Sequence, residues 1–385
     1  MSEEIIAKLD KALSYAYEGV QREPAGALAH PYLVPAGPYN ELWDWDAFFM
    51  SIAMLSRDKT QVHWLKHWSL NLIENAAEDG KVPGCITPAG GDPRLNHIKP
   101  FLAQGIYLSA EELDDYTWVA PHWDTVKRIC LYRQNNLWNS EYDLGVWFDS
   151  MESGADNNIA ALDYPDGSVI ASDANALIYR EYVCMARIAE KLELTEDAKY
   201  FADRAATVKA NTDKHLWCEE DQIYYNIDSK TGEFIRCVSY SSFVPLWANM
   251  APQKEGQESI KRYLINPDHM WSDYGIRSLS KAEQRYNNVN MIKPHSNWQG
   301  PVWPIANYIY MHTLLNYGFN DKAYELSLIQ SELVLKDIEQ SGGMHENYDA
   351  ETGEPLAAPN FISWNILVHN MPREASSVYN PLALF

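Results

Sequence analysis

Apolar side chains recur at the 3.6-residue period of a helix along almost all of this 385-residue chain, and that narrows its fold more than any other feature. The spacing predicts helices over roughly 3–19, 46–57, 60–78, 98–107, 121–136, 172–192, 196–216, 241–250, 256–264, 301–317, 320–339 and 360–371. On the first, Ile5, Ile6, Leu9, Leu13 and Tyr17 share one side. Ser172 and Asp173 are cap candidates for 172–192, and Thr195-Glu-Asp supplies a cap and first-turn acids for the next. Pro245, Pro252 and Pro267 break up the stretch 241–264. Gln222–Asn226 and Glu233–Arg236, flanking Asp228-Ser-Lys-Thr-Gly, read as a β-hairpin. Strands do not alternate with helices, which argues against a TIM barrel or a dinucleotide-binding sheet. About twelve helices in one uninterrupted chain fit six antiparallel pairs closing into a ring, or a helical pile without closure.

Charge removes several partner classes. Fifty-three acidic against 31 basic residues give −22; a nucleic-acid site needs a basic stripe, and an anionic membrane surface repels such a chain. No apolar run reaches the ~18 residues of a membrane span, and the charged N-terminus has no signal-peptide h-region. Five scattered cysteines make no C-x-x-C pair and no zinc spacing, so the expectation is buried free thiols in the cytoplasm, with no metal and no cofactor. The partner expected is a small-molecule carbohydrate, and the assembly a monomer or small homo-oligomer. Fourteen Trp, 24 Tyr and 10 Phe leave two accounts open: helix packing, or indole plates for the C–H faces of sugars.

Four loop segments hold more Trp, Asp, Glu, Asn and Gly than a helix connection requires. Pro38-Tyr-Asn-Glu-Leu-Trp-Asp-Trp-Asp alternates Trp with Asp44 and Asp46 at a helix mouth. His97-Ile-Lys-Pro-Phe-Leu-Ala-Gln104 sets an amide in an apolar helix. Trp147–Asn158 carries Asp149, Glu152 and Asp156 around Gly154, and Gly342–Glu354 carries Glu346 and Asp349. Glycosidic hydrolysis needs two carboxyl groups with opposite jobs, one protonated and one ionised. No Ser-His-Asp set, H-E-x-x-H or phosphate loop competes with the two acid loops.

These residues also carry a resemblance. Glu152-Ser-Gly-Ala-Asp156-Asn157 resembles the E-S-G-x-D-N loop of glycoside hydrolase family 63, which contains processing α-glucosidases and bacterial mannosylglycerate and glucosylglycerate hydrolases and is related to the trehalases. Asn297-Trp-Gln-Gly-Pro-Val-Trp-Pro304 resembles its W-R-G-P-V-W segment. His345-Glu346-Asn-Tyr348-Asp, with Thr352-Gly353 and Pro359-Asn-Phe361, is similar to its E-x-Y-(N/D)…T-G…P-N-F tail. Tyr39, Trp43 and Asp46 repeat the spacing of its entry motif, and Lys99-Pro100 with Gln104 that of its K-P…Q segment.

The resemblance implies an all-α fold, an (α/α)6 barrel or six-hairpin toroid with short β-hairpin insertions, as one catalytic domain over 1–385. It implies an inverting α-glycosidase acting on a small α-glucoside or α-mannoside. Asp156 would be the general acid and Glu346 the general base. Asp46 and Gln104 would hold sugar hydroxyls, Tyr39, Trp43, Trp298 and Trp303 would wall the pocket, and Gly154 and Gln299 would complete it. Gln299 is a departure, because the family usually has an Arg there to contact hydroxyls and keep the carboxylates ionised. Arg94 is the cation expected to meet a glycerate aglycone. Inversion calls for carboxyls about 6.5–9.5 Å apart, with water between base and anomeric carbon. Two rivals stay open: a sugar epimerase using His295 and His345, and a carbohydrate-binding protein without catalysis.

Overall fold

Helices form over nearly every segment whose apolar spacing predicted one. The computed structural model describes residues 2–384, so Met1 and Phe385, the ends of the expected domain range, lie outside the described residues. In chain order the helices are α1 Ser2–Ala12, α2 Ala16–Gly19, α3 Asp44–Arg57, α4 His63–Glu74, α5 Leu102–Leu113, α6 Trp123–Asn136, α7 Ser172–Lys191, α8 Thr195–Leu216, α9 Val244–Trp247, α10 Gln253–Ser259, α11 Pro304–Asn316, α12 Asn320–Ser341 and α13 Met371–Ser377. Shifts from the expected limits have local causes. The segment 3–19 divides around Leu13–Tyr15, where the Ser14 hydroxyl donates to the Lys11 carbonyl (3.2 Å). α5 starts only after Pro100, whose ring disfavours helical backbone at Lys99 before it. α11 opens on Pro304, at the position where a missing N–H is an orphan anyway. The expected helix 360–371 is a 3₁₀ run, Ser363–His369, leading into α13.

Burial separates the helices into two layers. α3 is buried from Asp44 to Leu55 and α11 from Pro304 to Leu315, on every side. α7 is buried over most of its circumference, whereas α8 buries one stripe of Ala198, Phe201, Ala205, Val208, Thr212 and Leu216. A helix covered all round is an inner helix, and a striped one faces solvent. α7 packs on α8, α11 on α12, and α5 on both α4 and α7, while α3 and α11 both pack on Ser363–His369. The main apolar core runs from Leu9 to Leu384, beside a small separate cluster of Val302, Leu333, Tyr348 and Ala350. All five cysteines are buried and free, and no described helix is long and apolar enough to cross a membrane.

The all-α expectation is corrected by several small sheets, since short extended pieces pair between the helices. The largest is antiparallel, in the order Glu233–Ile235, Asn226–Asp228, Val169–Ile170, Leu144–Trp147 and Trp138–Asn139. The expected hairpin is its edge, with Asn226 opposite Ile235 and Asp228 opposite Glu233. Ile223–Tyr224, expected in the same strand, pairs instead with Trp217–Cys218. The strand Leu144–Trp147 delivers the chain directly into the acid loop that follows.

That loop is anchored through a buried ion pair. Arg133 of α6 donates to Glu152 Oε1 (2.8 Å) and to the carbonyls of Ile98 (3.2 Å) and Val146 (3.3 Å). The Phe148 N–H donates to Glu152 Oε2. Glu152, one of three acids noted in the segment, therefore faces inward as a structural clamp, with both side chains almost wholly buried. Removing one member of a buried pair strands the other charge. Arg133→Ala is expected to cost about 3–5 kcal/mol, read as a lowered chemical-denaturation midpoint; a loss under ~1 kcal/mol, the range of a solvent-exposed pair, contradicts the clamp.

Candidate active site

The first carboxyl is placed by a change of backbone conformation. Leu42–Trp43 is extended and paired with Cys85–Ile86; α3 then begins, so Asp44 and Asp46 fall in its first turn. Free N–H groups and the helix dipole favour acids there. The two aspartates diverge. Asp44 turns to Lys99, accepting from its backbone N–H (2.8 Å) and its ammonium (3.1 Å). Asp46 faces a cavity and accepts from the Ser363 hydroxyl (2.7 Å).

The acid loop closes the opposite side. Gly154 sits at φ 80°, where a Cβ would lie 2.7 Å from both Lys99 Cε and Trp45 Cζ2, so only glycine fits this turn. Asp156 follows, its Oδ2 accepting from the Ser296 N–H (3.2 Å) and hydroxyl (2.7 Å). Amides lace the loop to the Trp segment: Trp298 N–H donates to Asn157 Oδ1 (2.6 Å) and Gln299 Nε2 to the Asn157 carbonyl (2.8 Å), while within the segment Trp303 Nε1 donates to the Asn297 carbonyl (2.9 Å). Trp298 and Trp303 stack at 4.3 Å and 11°. Glu346 is carried in by a bridge between Val302 and Tyr348, and its own N–H donates to the Ala357 carbonyl (2.9 Å).

These elements enclose a cavity of ≈ 150 Å³ lined by Tyr39, Trp43, Trp45, Asp46, Lys99, Met151, Gly154, Asp156, Ser296, Trp298, Trp303, Glu346, Phe361 and Trp364, with Pro35 at its edge. About 10–15 Å³ admits one water, so this space suits a sugar ring. The segments around Tyr39, Gly154, Trp298 and Glu346 thus meet in one place. Gln104 and Gln299, both expected at the sugar, do not line it. Gln104 is fully buried, donating to the Pro100 carbonyl (2.6 Å) and accepting from Arg180 Nε (2.9 Å). Gln299 uses its amide on Asn157 and Asn287. Arg94 pairs with Asp92, 88% exposed and away from the cavity. His345 turns its Nδ1 to Asp337 (3.0 Å), and His295 lies against Met151.

Sequence reasoning missed Trp45, Met151, Ser296 and Trp364 as wall residues. Trp45 alternates with the two aspartates, and Trp364 lies one helical turn beyond Phe361; both were open to the spacing argument. Ser296 and Met151 carried no such signal.

Three carboxyls buried so close together resist ionisation. Burial, with Asp44 adding and the Ser363 hydrogen bond opposing, pushes Asp46 up to about 7. Burial first, then Asp46 and Asp156, pushes Glu346 up to about 8. Burial raises Asp156 too, against the two hydrogen bonds from Ser296. The Tyr39 phenol is raised by burial and by the same three acids. Glu346 Oε2 and the indole N–H groups of Trp43 and Trp364 are buried without a protein partner. The arrangement offers proton donors and acceptors beside aromatic plates, which is equipment for acid–base chemistry on a polyhydroxylated ligand.

The family model for the mannosylglycerate hydrolase MGH1-like glycoside hydrolase domain matches residues 39–364. A mannosyl-oligosaccharide glucosidase of Saccharomyces cerevisiae is 27% identical over 226 residues, covering 54% of this chain and 26% of that protein. A cytosolic neutral trehalase of Kluyveromyces lactis is 24% identical over 405 aligned residues, covering 84% and 51%. This chain therefore spans between about a quarter and a half of these curated relatives. Among solved structures, a family 63 mannosylglycerate hydrolase from Thermus thermophilus in complex with Tris superposes with a TM-score of 0.73 at 18% identity, covering 93% of this chain and 99% of that one. A neutral trehalase from Saccharomyces cerevisiae gives 0.66 at 16%, covering 91% and 76%. At these identities the likeness shows a shared helix-rich fold.

The raised carboxyls make stability fall with pH. A group whose folded pKa lies above its unfolded value stabilises fully below the unfolded value and loses that contribution as pH rises through the folded one. For Glu346 the window runs from about 4.5 to about 8, and for Asp46 from about 3.8 to about 7. His67, His97 and His369, held by burial below the usual histidine value, change stability in the opposite sense, so the readout is a difference: across that range Glu346→Gln should gain melting temperature relative to the wild type. Parallel melting curves for the two proteins contradict the assignment.

Proposed function

This chain belongs to the mannosylglycerate hydrolase MGH1-like family of glycoside hydrolases, and from that premise we propose that it hydrolyses a small α-glucoside or α-mannoside with inversion, Asp156 acting as general acid and Glu346 as general base. The observation that carries this reading is the single cavity in which Asp46, Asp156 and Glu346 converge among stacked indoles, sized for one sugar ring. Trp298, Trp303, Trp43 and Tyr39 would pack on the ring's C–H faces, and Asp46 would accept from its hydroxyls.

The proton has to move when substrate arrives. No protein group donates to Glu346 Oε2 and burial raises this acid to about 8, while Asp156 Oδ2 accepts two hydrogen bonds from Ser296, so before substrate binds the proton favours Glu346. A bound sugar and its attacking water bring donors to Glu346 Oε2, which favours the carboxylate. The same ligand covers Asp156 and deepens its desolvation, which favours the acid. Protonation of the glycosidic oxygen by Asp156 then accompanies attack by the water that Glu346 deprotonates, on the opposite face of the ring. Gln299, where the family usually has Arg, is turned into the loop scaffold, so ionisation here depends on hydroxyl donors rather than on a guanidinium.

The layered helices support an (α/α)6 toroid, and the continuous core from Leu9 to Leu384 supports one catalytic domain. Five free buried thiols fit action in a reducing cytoplasm.

Incubation with α-glucosides, α-mannosides and their glycerate conjugates, followed by proton NMR, should show the free sugar appearing first as the β-anomer. Asp156→Asn and Glu346→Gln should each lower turnover by about 10²–10⁴-fold. The α-anomer appearing first overturns inversion, and near-normal turnover in both variants overturns the assignment.

A further inference from the structure

Asp156 meets one residue that the family motifs do not supply. Ser296 approaches it from the segment that leads into the Trp wall, and donates twice to the same atom, Oδ2, from its backbone N–H at 3.2 Å and its hydroxyl at 2.7 Å. The other carboxyl oxygen, Oδ1, takes neither bond. We propose that Ser296 is a positioning residue for the general acid, anchoring Oδ2 so that Asp156 delivers its proton from Oδ1 to the departing oxygen. The inference rests on the glycosidase reading above and adds which atom reacts and what aims it.

The chemistry behind it is a matter of donors and acceptors. A protonated carboxyl has one O–H and one purely accepting oxygen. An oxygen already accepting from an N–H and an O–H is a poor place for a proton, because the added hydrogen would face two others. The proton therefore resides on Oδ1. Two bonds to a single atom also stop the carboxyl from flipping, so the acid is presented in one orientation rather than two.

Ser296 can hold that atom because its own backbone is held. The next residue, Asn297, donates from Nδ2 to Asn287 Oδ1 (2.9 Å) and to the Val289 carbonyl (2.9 Å), tying both ends of the segment 287–297 together. Asn297 Oδ1 accepts from the Gln299 N–H (2.9 Å) and from Asn157 Nδ2 (3.3 Å). Asn157 directly follows Asp156, so the acid and its anchor share one frame. Other groups reach Asp156 as well. Lys99 and His295 favour its carboxylate, whereas Glu346, Asp46 and the Tyr39 phenol lie across the cavity. None of these is hydrogen-bonded to Asp156 among the described residues, so Ser296 alone orients it.

Two readouts separate positioning from general structural support. General acid assistance matters for a poor leaving group and little for fluoride, which departs without a proton on a bridging oxygen. Ser296→Ala should lower kcat/KM about tenfold or more on a methyl or disaccharide α-glycoside, while hydrolysis of the matching glycosyl fluoride stays within about threefold. Loss of a donor to the carboxylate also raises the pKa of Asp156, so the alkaline limb of kcat, set in the substrate complex where Asp156 holds the proton, should move to higher pH. Ser296→Thr, which keeps the hydroxyl, should restore both. Equal losses on both substrates with an unmoved limb overturn the proposal in favour of a structural role. A wild type that cleaves neither substrate overturns the glycosidase reading itself, and with it the role of Ser296. Cleavage of both by the wild type, with Ser296→Ala indistinguishable from it, removes the serine and leaves that reading standing.

Discussion

Bringing three carboxyl groups into one narrow, aromatic cavity works against folding, because burial disfavours each ionised form and the three repel one another. Asp46 and Glu346 answer by holding protons at pH values where a solvated acid has lost them. The rest of the site is arranged around that conflict. Lys99, whose ammonium also borders the cavity, is committed to Asp44 and to the face of Trp45 (5.1 Å). Ser363 and Ser296 each give a hydroxyl to one acid and none reaches Glu346 Oε2. Among protein groups, then, Glu346 is the acid left with a buried oxygen and no donor to it.

A rigid frame is needed to keep such groups together, and the frame is polar. Asn157, Asn297, Gln299 and Asn287 form a continuous amide lattice between the acid loop and the Trp segment. Arg133 and Glu152 fasten the start of that loop to α6. Each amide in the lattice has both a donor and an acceptor role, so losing one member leaves others unsatisfied in a buried setting. The position usually held by Arg in the family is here one strut of the lattice, which explains how a neutral side chain is accommodated without opening a hole.

Legibility in the sequence followed the range of the interaction involved. Helix spacing located α3, α7, α8, α11 and α12 closely, since the 3.6 period is local and repeats within each segment. It placed α5 too early, where Pro100 overrides periodicity. The edge hairpin at Asn226–Ile235 was readable from its turn, but its pairing with Val169–Ile170, and through that strand its link to Leu144–Trp147, was not, because those pairings span distant parts of the chain. Gln104 looked like a ligand contact because a polar residue in an apolar helix needs partners; Arg180, on α7, turned out to be one of them.

The order of motifs from Tyr39 to Trp364, read from sequence alone, determined the family and the residues worth watching, because the chemical type and spacing of short segments survive without knowledge of their neighbours. Only the tertiary structure decided which of those residues face the same space. It brought Trp45, Ser296 and Trp364 to the cavity and withdrew Gln104 and Gln299 from it. The reason is geometric: a side chain's partner is set by packing between segments hundreds of residues apart, as with Ser363 on Asp46, and no local pattern encodes that meeting.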